Sequence, residues 1–178
     1  MSRVLHLHSG FNAGGKELRA VQLMNAFGPK VRHAVVSAQP GAYGAAARLD
    51  PALEVAFPAD FPSLQGRPMP ARLRGLAEAM VGFDLVLTYN WGAMDAVLAH
   101  RLFQRRLRLA PLVHHEDGFN EDEAGGLKWE RNQFRRLALG GAAALVVPSR
   151  RLEAIALGAW RQPPGKVRLI VNGIATQR

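Results

Sequence analysis

Val4-Leu5-His6-Leu7-His8-Ser9-Gly10-Phe11-Asn12-Ala13-Gly14-Gly15-Lys16-Glu17-Leu18 decides how the rest of the chain is read. Residues 4–8 form an apolar run that reads as a strand, stopped by Ser9-Gly10 and the Gly14-Gly15 pair. Residues 16–27 then read as a helix, because Leu18, Val21, Leu23, Met24 and Phe27 recur at roughly helical spacing. Gly28-Pro29 ends it: proline cannot continue a helix, and the glycine before it caps the last turn cheaply. A strand, a glycine-bearing bend and a helix make the opening unit.

The same alternation continues to the far end. Strands are expected over residues 33–38, 53–57, 84–89, 111–115, 143–147 and 167–171, with helices over 42–49, 71–81, 94–108, 121–139 and 150–157. Residues 58–71 hold Pro58, Pro62, Gly66, Pro68 and Pro70 and read as a loop. The strands are rich in Val, Leu and Ile, as a sheet covered on both sides requires. The pattern predicts a doubly wound α/β domain: a mainly parallel, Rossmann-like sheet with helices on both faces.

Composition narrows the function classes. The 178 residues are 48% apolar and 21% charged, enough to bury the core of one domain and unlike a disordered chain. Cysteine is absent, which excludes disulfides, thiolate nucleophiles and Cys-ligated zinc or iron–sulfur centres. The longest nearly apolar run covers residues 137–147, short of the about 20 that a spanning helix needs. His6 and His8 interrupt what would be a leader's apolar segment, so a cytoplasmic protein is expected. The net charge is +9, and 19 of the 23 basic residues are arginine. That charge suits phosphorylated ligands or an anionic membrane. Nucleic acid is not expected, because aromatic residues are only 7% and too sparse for a base-stacking platform.

In such a sheet ligands bind beyond the carboxyl ends of the strands. Those ends carry His8-Ser9-Gly10, Thr88-Tyr89-Asn90-Trp91, His114-His115-Glu116-Asp117 and Pro148-Ser149-Arg150, with four of the six histidines on or just before this rim. Residues 10–17 follow a strand and open a helix, whose first N–H groups attract phosphate. They nearly match G-x-x-x-x-G-K-S/T, but Glu17 stands where the magnesium-binding hydroxyl belongs. A P-loop-like nucleotide triphosphatase is therefore a minor alternative, as is a tight turn with no ligand. His6 and His8 point to one strand face, yet no strict ligand spacing surrounds them and no metal is expected. Hydrogen-bonding or acid–base work suits the rim histidines better. The stripe His100, Arg101, Arg105, Arg106 and Arg108 reads as a solvated helix face, with an anionic membrane surface as the alternative.

Several landmarks, in order, resemble the N-terminal half of a glycosyltransferase family 4 enzyme of the GT-B type. Gly14-Gly15-Lys16-Glu17-Leu18 resembles its GG-x-E loop, and Asp84-Leu85-Val86-Leu87 its Asp-led fourth strand. Pro111-Leu112-Val113-His114-His115-Glu116-Asp117-Gly118 resembles the strand whose end carries a histidine near the reaction centre. Ala144-Leu145-Val146-Val147-Pro148-Ser149 resembles the strand that ends in serine. Residues 166–174 resemble the segment K-V/I-x-V-I-P-N-G-V/I-D, with Val171 in place of its proline and Ala175 in place of its aspartate.

The resemblance implies transfer of a sugar from a nucleotide-sugar to a glycan or lipid-linked acceptor, with retention and with neither metal nor cofactor. It implies residues 1–170 as the acceptor-side domain and 171–178 as the start of a linker to a C-terminal donor-binding domain outside this sequence. It also points to a bacterial enzyme on the inner face of the membrane, one that turns over little as an isolated domain. His115, His114, Glu116 and Asp117 become the catalytic candidates, with the register of the two histidines open. Gly14, Gly15, Lys16 and Glu17 would meet the donor's diphosphate, and His8, Asn90 and Ser149 the substrate or acceptor. The loop at 58–71 would face the acceptor. The reading from another class is a non-catalytic α/β domain that binds an anion or a partner.

Overall fold

The structure, a computed structural model, describes residues 1–118 and 128–171. Its strands are β1 (Ser2–His8), β2 (Val31–Ser37), β3 (Val55–Ala56), β4 (Leu85–Tyr89), β5 (Leu112–His115), β6 (Ala144–Val147) and β7 (Val167–Leu169). Its helices are α1 (Gly15–Phe27), α2 (Pro70–Glu78), α3 (Met94–Leu107), α4 (Trp129–Ala138) and α5 (Arg150–Gly158). The seven strands form one sheet in the order β3-β2-β1-β4-β5-β6-β7, and every pairing is parallel. The chain winds outward from β1 to β3, returns across β1, and winds the other way from β4. The order therefore reverses between β1 and β4, where open α/β sheets hold their ligands.

Two apolar clusters cover the faces. The larger joins Leu5, Leu7, Val86, Leu112 and Leu145 to residues of α2, α3, α4 and α5. The smaller joins Val4, Val35, Leu87 and Tyr89 to Ala20, Val21 and Met24 of α1. Strand alternation thus sends successive residues of β1 and β4 to different cores.

The departures from expectation lie at the margins. β3 shrinks from residues 53–57 to Val55–Ala56, because it is an edge strand paired only through His33 and Ala34 and halted by Pro58. The helix expected over 42–49 is a five-residue 3-10 segment, Gly44–Arg48. α2 starts at Pro70, a favoured first helical residue that needs no N–H partner, and ends before residue 81. Of the helix expected over 121–139, residues 121–127 lie outside the described residues, and so do 172–178 of the expected linker. On α3, His100 is buried and bonded through Nε2 to the Ala110 carbonyl at 2.8 Å, while Arg105, Arg106 and Leu102, and Arg108 just past the helix end, are exposed. Among the described residues no helix is long and apolar enough to cross a membrane.

Candidate functional site

β5 sends His115 and His114 to opposite faces. His115 stacks on Tyr89, its registered partner on β4, with ring centroids 4.8 Å apart, on the α1 side of the sheet. Tyr89 also stacks on His8 at 4.0 Å, and His8 meets Phe11 at 4.8 Å. Behind them His6 spans two partners, with Nδ1 3.1 Å from the Tyr89 hydroxyl and Nε2 3.0 Å from Nδ1 of His33. Both ring nitrogens of His6 are thereby engaged. No group of three or more metal-ligating side chains occurs among the described residues.

Arg19, one turn into α1, reaches across to the end of β5. Its Nη2 lies 2.7 Å from Nδ1 of His115 and its Nη1 2.7 Å from Oδ1 of Asp117. Asn90, in the left-handed region at φ 57°, holds the same strand end from β4. Its N–H donates to the His115 carbonyl and its Oδ1 accepts from the Asp117 N–H, both at 2.8 Å. Gly14–Glu17, His8, Asn90, His115 and Asp117 therefore converge on one rim.

Burial, then the Arg19 charge, then His114 pull the His115 pKa down to about 3. Burial, Lys16 and His115 do the same to His8, also to about 3. Burial pushes the Tyr89 hydroxyl up, with Arg19 opposing and Asp117 assisting. Both rim histidines are thereby held neutral near pH 7; His115 accepts from Arg19, whereas the buried ring nitrogens of His8 have no hydrogen-bond partner among the described residues and its contacts are the stacks on Tyr89 and Phe11.

Gly14 is the N-cap of α1 in extended backbone, at φ −135°. Glu17 folds back over the cap: a Cβ at Gly14 would lie 2.7 Å from its Oε2, whereas one at Gly15 would meet nothing within 4 Å. Lys16 donates to the Ser9 hydroxyl at 3.0 Å and lies 3.4 Å from Glu17 Oε1. Ser9, Gly10, Asn12, Gly14, Lys16 and Glu17 line an open cleft of about 270 Å³ at this helix start. A carboxylate turned onto its own cap is unlike a magnesium-binding hydroxyl.

Three expected residues have structural partners of their own. His114 points into the larger core, its Nδ1 2.8 Å from the Thr88 hydroxyl. Glu116 is fully buried and pairs with Arg135 at 3.3 Å. Ser149 caps α5, accepting from the Leu152 N–H at 3.2 Å. Sequence reasoning missed Arg19, although its place four residues after Gly15 sets it one turn above the cap on the same helix face. It also missed a second cleft of about 480 Å³, which Leu64, Gln65, Pro68, Trp91, Asp95 and Phe134 line on the side of the proline-rich loop.

No curated protein matches the chain. Among solved structures, Anabaena HepE in complex with UDP superposes with a TM-score of 0.68 at 18% identity, over 98% of this chain and 44% of HepE. UDP-GlcNAc 2-epimerase from Neisseria meningitidis gives 0.56 at 14% identity, over 94% of this chain and 46% of the epimerase. A sucrose-phosphate synthase chain from Thermosynechococcus elongatus gives 0.51 at 19% identity, over 97% of this chain and 90% of that one. The chain spans less than half the length of HepE and of the epimerase, and at these identities the likeness shows the Rossmann-like fold. Residues 13–178 match Glycosyltransferase Family 4, nearly the whole chain, and the chain belongs to that family.

Proposed function

We propose that this chain is the acceptor-side half of a retaining glycosyltransferase that moves a sugar from a nucleotide-sugar to a glycan or glycolipid acceptor. The observation that carries the reading is the Arg19 bridge, which brings the start of α1 together with His115 and Asp117. Departure of a nucleoside diphosphate builds negative charge, and the first N–H groups of α1 at Gly14-Gly15 supply donors and a positive dipole end for it. His115 and Asp117 orient the sugar and the acceptor hydroxyl. The cleft beside Trp91 and Asp95 takes the acceptor. A second domain, joined through residues 171–178, holds the nucleotide, and transfer proceeds without a bound metal. HepE has been solved with UDP and with UDP-glucose, which makes UDP-sugars the first donors to try.

In this reading the protein works in the cytoplasm, peripheral to an anionic membrane through Arg105, Arg106, Arg108 and the exposed Leu102 of α3. Flotation with anionic vesicles at low and high salt tests that part, and absence of binding at low salt ends it. The main test is a transferase assay on the polypeptide as its gene encodes it, with UDP-sugars and a panel of glycan and lipid-linked acceptors. Transfer that is lost in His115→Ala supports the reading, and absence of both transfer and donor binding overturns it. Appreciable turnover by these 178 residues alone would overturn the division of roles between two domains.

A further inference from the structure

Arg19 belongs to none of the motifs, yet its guanidinium spans the two polar side chains at the end of β5. A guanidinium carries five donors, no acceptor, and a charge that persists at every accessible pH. At 2.7 Å from Arg19 Nη2, Nδ1 of His115 is therefore the acceptor. A neutral imidazole carries one N–H, which must then stand on Nε2; the other tautomer would set N–H against N–H. We propose that Arg19 is a positioning residue that locks His115 as the Nε2–H tautomer, making the ring a one-directional hydrogen-bond donor toward a sugar or acceptor hydroxyl. The tautomer stands on geometry alone, and its use toward a hydroxyl rests on the glycosyl-transfer reading.

Three further contacts hold the arrangement. The second guanidinium arm on Asp117 keeps Arg19 from rotating away and balances its charge. Tyr89 stacks on the imidazole at an interplanar angle of 25°. Asn90 grips the backbone on both sides of Glu116, through the His115 carbonyl and the Asp117 N–H. Among the described residues, the charged and titratable groups that act on His115 include Arg19 from α1, Asp117 beyond β5, Tyr89 from β4, His114 beside it on β5, and His8 and His6 from β1. A ring locked this way polarises a hydroxyl by donating to its oxygen and does not remove its proton. A lysine at position 19 has no planar fork with which to serve both partners.

Long-range ¹H–¹⁵N NMR of the ¹⁵N-histidine-labelled chain reads the tautomer directly. Wild-type His115 is expected to show an unprotonated Nδ1 and a protonated Nε2, unchanged from pH 8 to pH 5. Arg19→Met is expected to give a mixture of the two neutral tautomers, because burial, the larger cause of the lowered pKa, still disfavours the charged ring. Should Arg19→Met not fold, Arg19→Gln replaces it, because its amide accepts as well as donates and relaxes the lock while keeping a polar side chain. A wild-type ring protonated at Nδ1, or an Arg19 variant with the wild-type pattern, overturns the lock. In the polypeptide that transfers sugar, Arg19→Gln is expected to lower kcat roughly tenfold with KM for the donor little changed. An unchanged kcat overturns the positioning role. Absence of transfer with the Nε2–H tautomer in place rejects the glycosyl-transfer reading instead and leaves the lock standing.

Discussion

Glu116 and Arg135 form an ion pair with neither side chain reaching solvent, Nε of Arg135 lying 3.3 Å from Oε2 of Glu116. The guanidinium sits against two indoles, 4.9 Å from the Trp91 ring centre and 5.1 Å from that of Trp160. Nε2 of His114 lies 3.7 Å from the same carboxylate oxygen. A carboxylate enclosed in this way holds α4 against the end of β5 and lines neither cleft.

Removing one member of such a pair leaves a buried charge without its counterpart. Arg135→Met is expected to cost about 3–5 kcal/mol in urea unfolding, and Glu116→Gln to destabilise as well. The double variant is expected to recover part of the loss, because it buries no lone charge. Unfolding midpoints of the three variants check this. A Glu116→Gln protein as stable as the wild type but without transfer would return Glu116 to the reaction.

Two glycines at the rim should part company. A Cβ on Gly92 would lie 2.7 Å from the Ser9 Cα, a backbone atom that cannot yield, so Gly92→Ala is expected to cost about 1–3 kcal/mol. A Cβ on Gly15 meets nothing within 4 Å, and Gly15→Ala places a better helix former in the first turn of α1. It should leave stability unchanged or raised by up to about 1 kcal/mol. Thermal melts give the first comparison and donor binding the second. Loss of binding in a fully stable Gly15→Ala protein would show that the open space there belongs to the ligand.

Stability should fall with acid in a particular window. His8 and His115 stay neutral in the folded protein down to about pH 3, whereas in the unfolded chain they take up protons near pH 6.5. The unfolded state thus binds more protons between these values, and stability rises with pH across that interval. Each histidine contributes a slope of about 1.4 kcal/mol per pH unit, present from roughly pH 6.5 downward and absent above it. Burial, the main cause, together with His8, His33 and His115, lowers His6 in the same sense. Urea titrations at pH 7.5, 6 and 5 measure the slope, and His8→Asn should flatten it by one histidine's share. A flat profile in the wild type would mean that the imidazoles are charged or solvated in the fold.

The alternation of short apolar runs with amphipathic stretches was enough to recognise the sheet, because strands covered on both faces leave little room for polar residues. The glycine-bearing bend was equally legible, since Gly14-Gly15 and the Leu18–Met24 spacing act within one turn of each other. What no local pattern reveals depends on pairing across the chain. Arg19 and His115 stand 96 residues apart, and no local pattern announces their contact. The choice between His114 and His115 needed the β4–β5 register, which sets Thr88 opposite one and Tyr89 opposite the other. By sequence Glu116 reads as a rim carboxylate, and only the fold brings Arg135, 19 residues later, to enclose it.

Arg72 of α2 fastens the proline-rich stretch to α3. Its Nη1 lies 2.6 Å from Oδ2 of Asp95, and its Nη2 donates to the Ser63 carbonyl at 3.1 Å. Gly66, at φ +133°, packs so near that a Cβ there would lie 3.2 Å from the Arg72 Nε. Leu64, Gln65 and Pro68 reach the second cleft from this stretch, and Asp95 reaches it from α3, so the guanidinium braces two of its walls. Arg72→Met should raise amide hydrogen exchange over residues 63–68 while the β-strands keep their protection. The pair is only partly buried, so the loss of global stability should be no more than about 1–2 kcal/mol. If the cleft receives the acceptor, KM for the acceptor should rise severalfold in the transferring polypeptide, with KM for the donor unchanged. A rise confined to the donor would place the nucleotide-sugar, rather than the acceptor, between Trp91 and Asp95.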